Sequence, residues 1–150
     1  MESFMSATLY NDAVTRSSRN STLNVWLWVA QCLLAVFFLL AGGMHAFMPI
    51  EQASKFAAWI ATAPVALVRF IGIAELAGAI GVLLPAATRV KPWLTPLAAA
   101  GLATIMLLAI PVHVARGELD MLGRNLAALT VAAFVVWGRV NRVRIAARQA

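Results

Sequence analysis

Cysteine and charged residues are scarce in this sequence, and each shortage excludes a class of protein. The 150 residues contain one cysteine, Cys32, which excludes an intrachain disulfide and a CxxC redox pair. Charged residues make up 12% of the chain and hydrophobic residues 62%, which leaves too little polar surface for a soluble domain of this length. GxSxG elbows, glycine-rich phosphate loops and carboxylates paired at catalytic spacing are also absent. We therefore interpret the chain as an integral membrane protein.

Metal and nucleic-acid binding are disfavoured by the same kind of argument. The two histidines, His45 and His113, lack HxxxH spacing and a second carboxylate, so we predict no metal site. The net charge is +6, but the basic residues lie at the ends of apolar runs and do not cluster as a nucleic-acid-binding face requires. The lipid bilayer is the partner that this pattern predicts.

Four apolar segments are long enough to cross a membrane, since about 20 helical residues span a hydrocarbon core of about 30 Å. They cover residues 24–45, 65–84, 96–114 and 121–137. We expect Asn24 and Asp120 to cap the first and fourth helices, and Pro85 to end the second. We predict an all-α fold, a four-transmembrane-helix bundle spanning residues 24–138. A disordered cytoplasmic segment (1–23) precedes it and a basic cytoplasmic tail (139–150) follows it.

Residues 49–63, between the first two spans, are too polar to cross a membrane. Their apolar side chains fall on one helical face, as expected for a short amphipathic interfacial helix between helices 1 and 2, with an irregular loop as the alternative. The face comprises Ile50, Ala53, Phe56, Ala57 and Ile60.

The distribution of basic residues predicts that both termini are cytoplasmic. Eight lie in the N-terminal segment, the second loop and the tail: Arg16, Arg19, Arg89, Lys91, Arg139, Arg142, Arg144 and Arg148. Four lie on the opposite side: Lys55, Arg69, Arg116 and Arg124. We expect the protein in a bacterial inner (plasma) membrane.

Polar residues within the spans gather toward one side of the predicted bundle. Glu75 lies in the second span on a stripe of small residues with Gly72, which indicates that its carboxylate faces neighbouring helices. The others lie near the outer helix ends: His45, Arg69, His113, Arg124 and Asn125. We predict one polar pocket that opens outward, with Glu75, Arg69, His113 and Arg124 as candidate catalytic residues. His45, Asn125 and Gly72 are candidates for binding a cofactor.

The same residues also have structural interpretations. Arg69 and Arg124 can extend to lipid headgroups, and the histidines can form interfacial hydrogen bonds. Glu75 can form a buried salt bridge that fixes the geometry of the bundle. Arg124 is the partner we favour for that salt bridge, with Arg69 as the alternative.

The stretch RFIGIAELAGAIGVLLP, from Arg69 to Pro85 and mostly within the second span, follows a helix that ends LLAGGMH. Together they resemble the DoxX-like group of small four-helix membrane proteins. The resemblance covers residues 26–137 and makes Arg69, Gly72, Glu75, Gly78 and Pro85 the motif residues. In that family a lysine often ends the first helix near the position of His45. The resemblance implies a fold and a membrane location, and members are often labelled oxidoreductase-like.

Three functions fit these observations. The first is a redox-linked protein whose outer pocket binds a quinone or a small anion and which receives electrons through a redox partner protein. The second is a non-enzymatic membrane scaffold or partner subunit, and a homo-oligomer fits either interpretation. The third, ranked last, is a small transporter, because the charge asymmetry argues against the dual topology of small multidrug transporters. Whether the protein is an enzyme stays open in the sequence.

Overall fold

The computed structural model describes residues 2–148, and side chains are described for residues 20–148. Five α-helices and one 3-10 helix follow one another, with no strand between residues 2 and 148. They are α1 (Glu2–Phe47), α2 (Ile50–Ala53), the 3-10 helix (Ala58–Ala61), α3 (Val65–Thr88), α4 (Leu94–Ala115) and α5 (Leu119–Asn141). The prediction of an all-α fold is confirmed.

Four helices are long and apolar enough to span a membrane: residues Asn20–Phe47 of α1, and the whole of α3, α4 and α5. Helix α1 packs against α3 and α5, and α4 packs against the same two helices, so the four spans close into a ring. The core between them is apolar and includes Phe38, Val82 and Leu102, each at most 1% exposed. Large apolar side chains such as Leu40 and Phe70 cover the outside, where a lipid bilayer surrounds an integral membrane protein.

Helices α1 and α3 approach each other most closely where each carries a glycine. A Cβ atom on Gly72 would lie 2.8 Å from the carbonyl carbon of His45, and one on Gly42 would lie 2.9 Å from the carbonyl oxygen of Gly72. Small residues allow backbones to approach in this way inside membranes. The crossing therefore fixes the end of α1 against the middle of α3. We call the end of the bundle where α1 ends and α3 begins the His45 end, and the opposite end, where α5 ends, the Arg139 end.

The segment between α1 and α3, residues 48–64, covers the His45 end of the bundle with apolar side chains, and we call it the capping segment. It contains α2 and the 3-10 helix, where the sequence predicted one amphipathic helix. Ala53, Ala57 and Ile60 are buried against Val68 of α3, whereas Phe56 is 61% exposed. Ile50 is partly buried against the same cluster, so the segment packs through four of the five residues of the predicted apolar face.

The predicted capping and terminating residues of the helices differ from the observed ones. Asn24 lies inside α1 and is not its N-cap, and Glu118, not Asp120, is the N-cap residue of α5. Helix α3 continues past Pro85 to Thr88, because a proline in the last turn removes only its own backbone hydrogen bond. The predicted disorder of residues 1–23 falls mostly on residues whose side chains lie outside the described range, and it stays a prediction.

Candidate functional site

The most buried ionisable pair of the bundle joins α1 to α3. Nδ1 of His45 lies 2.6 Å from Oε2 of Glu75, and the two side chains are 10% and 3% exposed. The glycine crossing brings them together, because Gly42 lies against the Cβ atom of Glu75 and Gly72 lies against the backbone of His45. Trp59 covers the imidazole edge to face, with the ring centroids 5.5 Å apart. Glu75 faces the bundle interior, and its partner is a histidine.

Arg69 makes the His45 position rigid. Its Nη1 donates hydrogen bonds to the carbonyl oxygens of His45, at 2.9 Å, and Met48, at 2.8 Å. The last carbonyl groups of a helix have no partner within the helix, and a cation is favoured beside them. Arg69 therefore caps the end of α1 through its Nη1.

A second histidine–carboxylate pair lies at the same end, where α4 meets α5. Nδ1 of His113 lies 2.7 Å from Oε2 of Glu118, and Nε of Arg116 donates to Oε1 of Glu118 at 2.8 Å. Arg116 also donates to the hydroxyl of Thr62, which precedes α3. Burial raises the pKa of Glu118, but the hydrogen bonds and charges of Arg116 and His113 outweigh it, so the net pKa is lowered. The carboxylate is therefore ionised at neutral pH.

The predicted ion pair between Glu75 and Arg124 is wrong. Arg124 is exposed, and its Nη2 contacts the sulfur of Met121, one turn away in the same helix. It lies in the second turn of α5 on the surface of the bundle, where its long side chain can reach water without entering the bundle.

Three polar groups at the His45 end retain unused hydrogen-bonding capacity. Asn125 is 6% exposed, and its Nδ2 has no partner in the part of the chain that the structure describes. Within residues 20–148, the hydrogen bonds of the His45 and His113 rings are made through Nδ1, which leaves Nε2 of each ring without a hydrogen-bond partner there. A neutral imidazole with one nitrogen occupied presents a single donor or acceptor at the other.

The candidates found by sequence thus divide into three sets. One cluster consists of His45, Arg69, Gly72 and Glu75. The second set is His113, which is paired with Glu118. The third is Arg124 and Asn125, which make no hydrogen bond to the cluster or to the His113–Glu118 pair among the described residues. Sequence reasoning missed Trp59, Thr62 and Glu118 as site residues. Glu118 could have been found from the sequence, since it lies five residues after His113 beside a glycine. Trp59 and Thr62 reach the site only through the fold of the capping segment.

Among the described residues, no group of three or more His, Cys, Asp or Glu side chains is placed to hold a metal ion.

Comparison with known proteins gives one match. The model of the DoxX-like family matches residues 29–135, which include α3, α4 and most of the spanning parts of α1 and α5. No curated protein and no solved structure matches the chain.

Proposed function

The chain belongs to the DoxX-like family of integral membrane proteins, and we propose that it is redox-linked and binds the headgroup of a quinone at its His45 end. The observation that carries this proposal is the buried His45–Glu75 pair with Nε2 of the imidazole still available. A buried ionisable pair inside a membrane span is costly and is a functional-site hypothesis by default. The pair offers a proton-handling group between α1 and α3.

The groups with unused hydrogen-bonding capacity at the His45 end fit a quinone. They are Nε2 of the two imidazole rings and Nδ2 of Asn125, which is buried with no partner among the described residues. These atoms can pair with the carbonyl and hydroxyl oxygens of a quinone. Nη1 of Arg69 is held by two backbone carbonyl groups, and Arg124 is exposed on the surface. His45, Glu75 and Asn125 are the residues that we assign to this ligand.

A bound quinone supplies two-electron, two-proton chemistry. In this chain, Glu75 holds Nδ1 of His45, which orients the ring and leaves Nε2 free to meet a ligand. A protonated His45 donates from Nε2 to a carbonyl oxygen, and a neutral His45 accepts from a hydroxyl group, so the same atom can bind the ligand in both redox states. Cys32 is the only cysteine in the chain, and we propose that the electrons come from a redox partner protein.

A scaffold role is the second candidate, and a specific observation favours it. Arg69 caps α1, and the bond from Arg116 to Thr62 ties α4 to the start of α3. These contacts stabilise the bundle without requiring any ligand. A scaffold would use the polar cluster only to hold its helices together.

Quinone binding separates the two candidates. We expect the full chain, purified in mild detergent, to carry quinone detectable by ultraviolet absorbance and mass spectrometry, and to bind added ubiquinone analogue saturably. His45→Phe keeps the ring against Trp59 and removes both nitrogens, and we expect it to weaken binding at least about tenfold, since tenfold corresponds to about 1.4 kcal/mol. Arg124→Gln, an exposed change at the same end, is the control and should bind normally. If His45→Phe and Arg124→Gln bound quinone equally well, the quinone proposal would be wrong and the scaffold role would be favoured.

We further propose that the His45 end faces away from the cytoplasm of a bacterium, in the inner membrane. The support is the excess of basic residues at the Arg139 end, eight against four. A reporter active only outside the cytoplasm should be active when inserted between residues 116 and 120, and silent when inserted between residues 89 and 91. The reverse pattern would contradict the orientation.

A further inference from the structure

Arg139 is a buried arginine near the end of α5, at the opposite end of the bundle from the proposed quinone site. It is 4% exposed. Its Nε donates to Oε1 of Gln31 at 2.7 Å, and its Nη1 donates to Oδ1 of Asn24 at 2.7 Å. Gln31 in turn donates to the carbonyl oxygen of Val82, so the guanidinium is held between α1, α3 and α5. Trp28 lies under it, with its ring centroid 5.5 Å from the guanidinium carbon.

This network leaves the charge of Arg139 without a counter-ion. Every partner above is a neutral side chain or a backbone carbonyl, and Nη2 is buried with no hydrogen-bond partner among the described residues. The carboxylates within residues 20–148 are Glu51, Glu75, Glu118 and Asp120, and all four lie toward the His45 end. A buried charge without a partner is strongly unfavourable. The position therefore calls for an anion that residues 20–148 do not supply.

A cavity of about 400 Å³ lies beside this arginine. Its walls come from the start of α4, the end of α5 and the C-terminal segment, which crosses back because the backbone N–H of Arg148 donates to the carbonyl oxygen of Arg89 at 2.9 Å. Arg139 and Arg144 are its charged lining residues, and its apolar ones include Pro96, Val140 and Ile145. Two arginines in an otherwise apolar lining fit a ligand with a compact anionic group and an apolar remainder.

We propose that this cavity binds a phosphate-bearing anion on Arg139 and Arg144. A guanidinium presents donors in a fork that matches phosphate oxygens. The phosphate can belong to the headgroup of an anionic phospholipid, whose glycerol and first methylene groups would lie along Pro96, Val140 and Ile145, or to free phosphate. The site is independent of the quinone proposal, since it shares no residue with it.

The test measures binding to the full chain in detergent by native mass spectrometry, with dioleoyl-phosphatidylglycerol, dioleoyl-phosphatidylcholine and inorganic phosphate as probes. Arg139→Gln removes the proposed anchor. Ile145→Asp leaves Arg139 and its network intact and puts a carboxylate in the cavity, so it keeps the proposal testable if Arg139→Gln does not fold. Arg142→Gln removes an exposed charge three residues from Arg139, and Ile145→Asn introduces a polar group without charge. These two are the matched controls.

We expect one phosphatidylglycerol molecule to bind saturably, about tenfold more weakly to Arg139→Gln and Ile145→Asp, and within about twofold of wild type to both controls. Phosphatidylglycerol bound without competition from inorganic phosphate identifies a lipid site. Competition by inorganic phosphate at the same residues identifies a site for the phosphate group itself. The proposal is overturned if neither phosphatidylglycerol nor inorganic phosphate binds saturably. It is also overturned if the two control variants lose as much affinity as Arg139→Gln and Ile145→Asp.

Discussion

Replacing His45 by phenylalanine is expected to lower the free energy of unfolding by about 3 kcal/mol. The substitution keeps a ring against Trp59 and leaves the Glu75 carboxyl group, 3% exposed, without its partner 2.6 Å away. The expected value lies between about 1–3 kcal/mol for a buried unsatisfied polar group and about 3–5 kcal/mol for a buried uncompensated charge. Thermal and denaturant unfolding in detergent, followed by tryptophan fluorescence, measure this loss.

A double-mutant cycle separates the pair from the effects of each residue alone. Glu75→Leu removes the carboxylate at similar volume, and the double variant with His45→Phe leaves no unpaired group, so we expect it to lose about 1–3 kcal/mol less than the sum of the single variants. Arg124→Gln, which removes an exposed charge at the same end, should change stability by no more than about 0.5 kcal/mol. Losses that add within about 0.5 kcal/mol would show that the two side chains do not interact.

Adding one methyl group to Gly72 is expected to be the second most damaging change. The Cβ atom of an alanine would meet the backbone nitrogen of Ala46 and lie 2.8 Å from the carbonyl carbon of His45, and helix backbone cannot move aside as a side-chain tip can. Overpacking of this kind costs about 1–3 kcal/mol, and the better helix propensity of alanine offsets up to about 1 kcal/mol. We therefore expect Gly72→Ala to lose about 2 kcal/mol and to weaken quinone binding as α1 and α3 separate.

Gly43→Ala is the matched control for this change. Gly43 lies in α1 beside the same crossing, but a Cβ atom there would meet nothing within 4 Å. The same substitution should therefore stabilise the protein by up to about 1 kcal/mol through helix propensity alone. If Gly72→Ala and Gly43→Ala shifted the unfolding free energy in the same direction, the close crossing of α1 and α3 would be contradicted.

The four spans could be predicted from the sequence because a helix that crosses lipid must be long and apolar. Such helices are visible as long apolar runs of residues. The sequence also predicted that Glu75 faces inward, since Gly72 and its small neighbours mark the side of α3 that another backbone approaches. It could not predict the partner of Glu75. That choice depends on where α1 ends relative to α3, and His45 lies level with Gly72, where the two helix backbones come close together. Arg69 instead donates hydrogen bonds to the backbone carbonyl groups at the end of α1.

Arg139 shows a second limit of the same kind. Counting basic residues assigned it to the cytoplasmic tail, because the positive-inside pattern depends on position in the chain and ignores packing. In the fold, α5 continues to Asn141, and Gln31 and Asn24 from α1 provide acceptors for the guanidinium. Either residue alone gave no sign of this, since a glutamine or an asparagine in a membrane helix can also bond to a neighbouring backbone. Only their combined geometry with Arg139 reveals a buried charge.

The central claim, that a quinone headgroup binds at His45, can be tested directly at its atoms. The chain has only two histidines, so ¹⁵N-histidine labelling of the protein in lipid nanodiscs gives two sets of ring signals, and His113→Gln assigns them. Saturating ubiquinone analogue should shift the Nε2 signal of His45, with a smaller change at Nδ1, which stays bonded to Glu75. An unchanged His45 spectrum at saturating quinone, in a sample whose ring signals are resolved, would contradict the account.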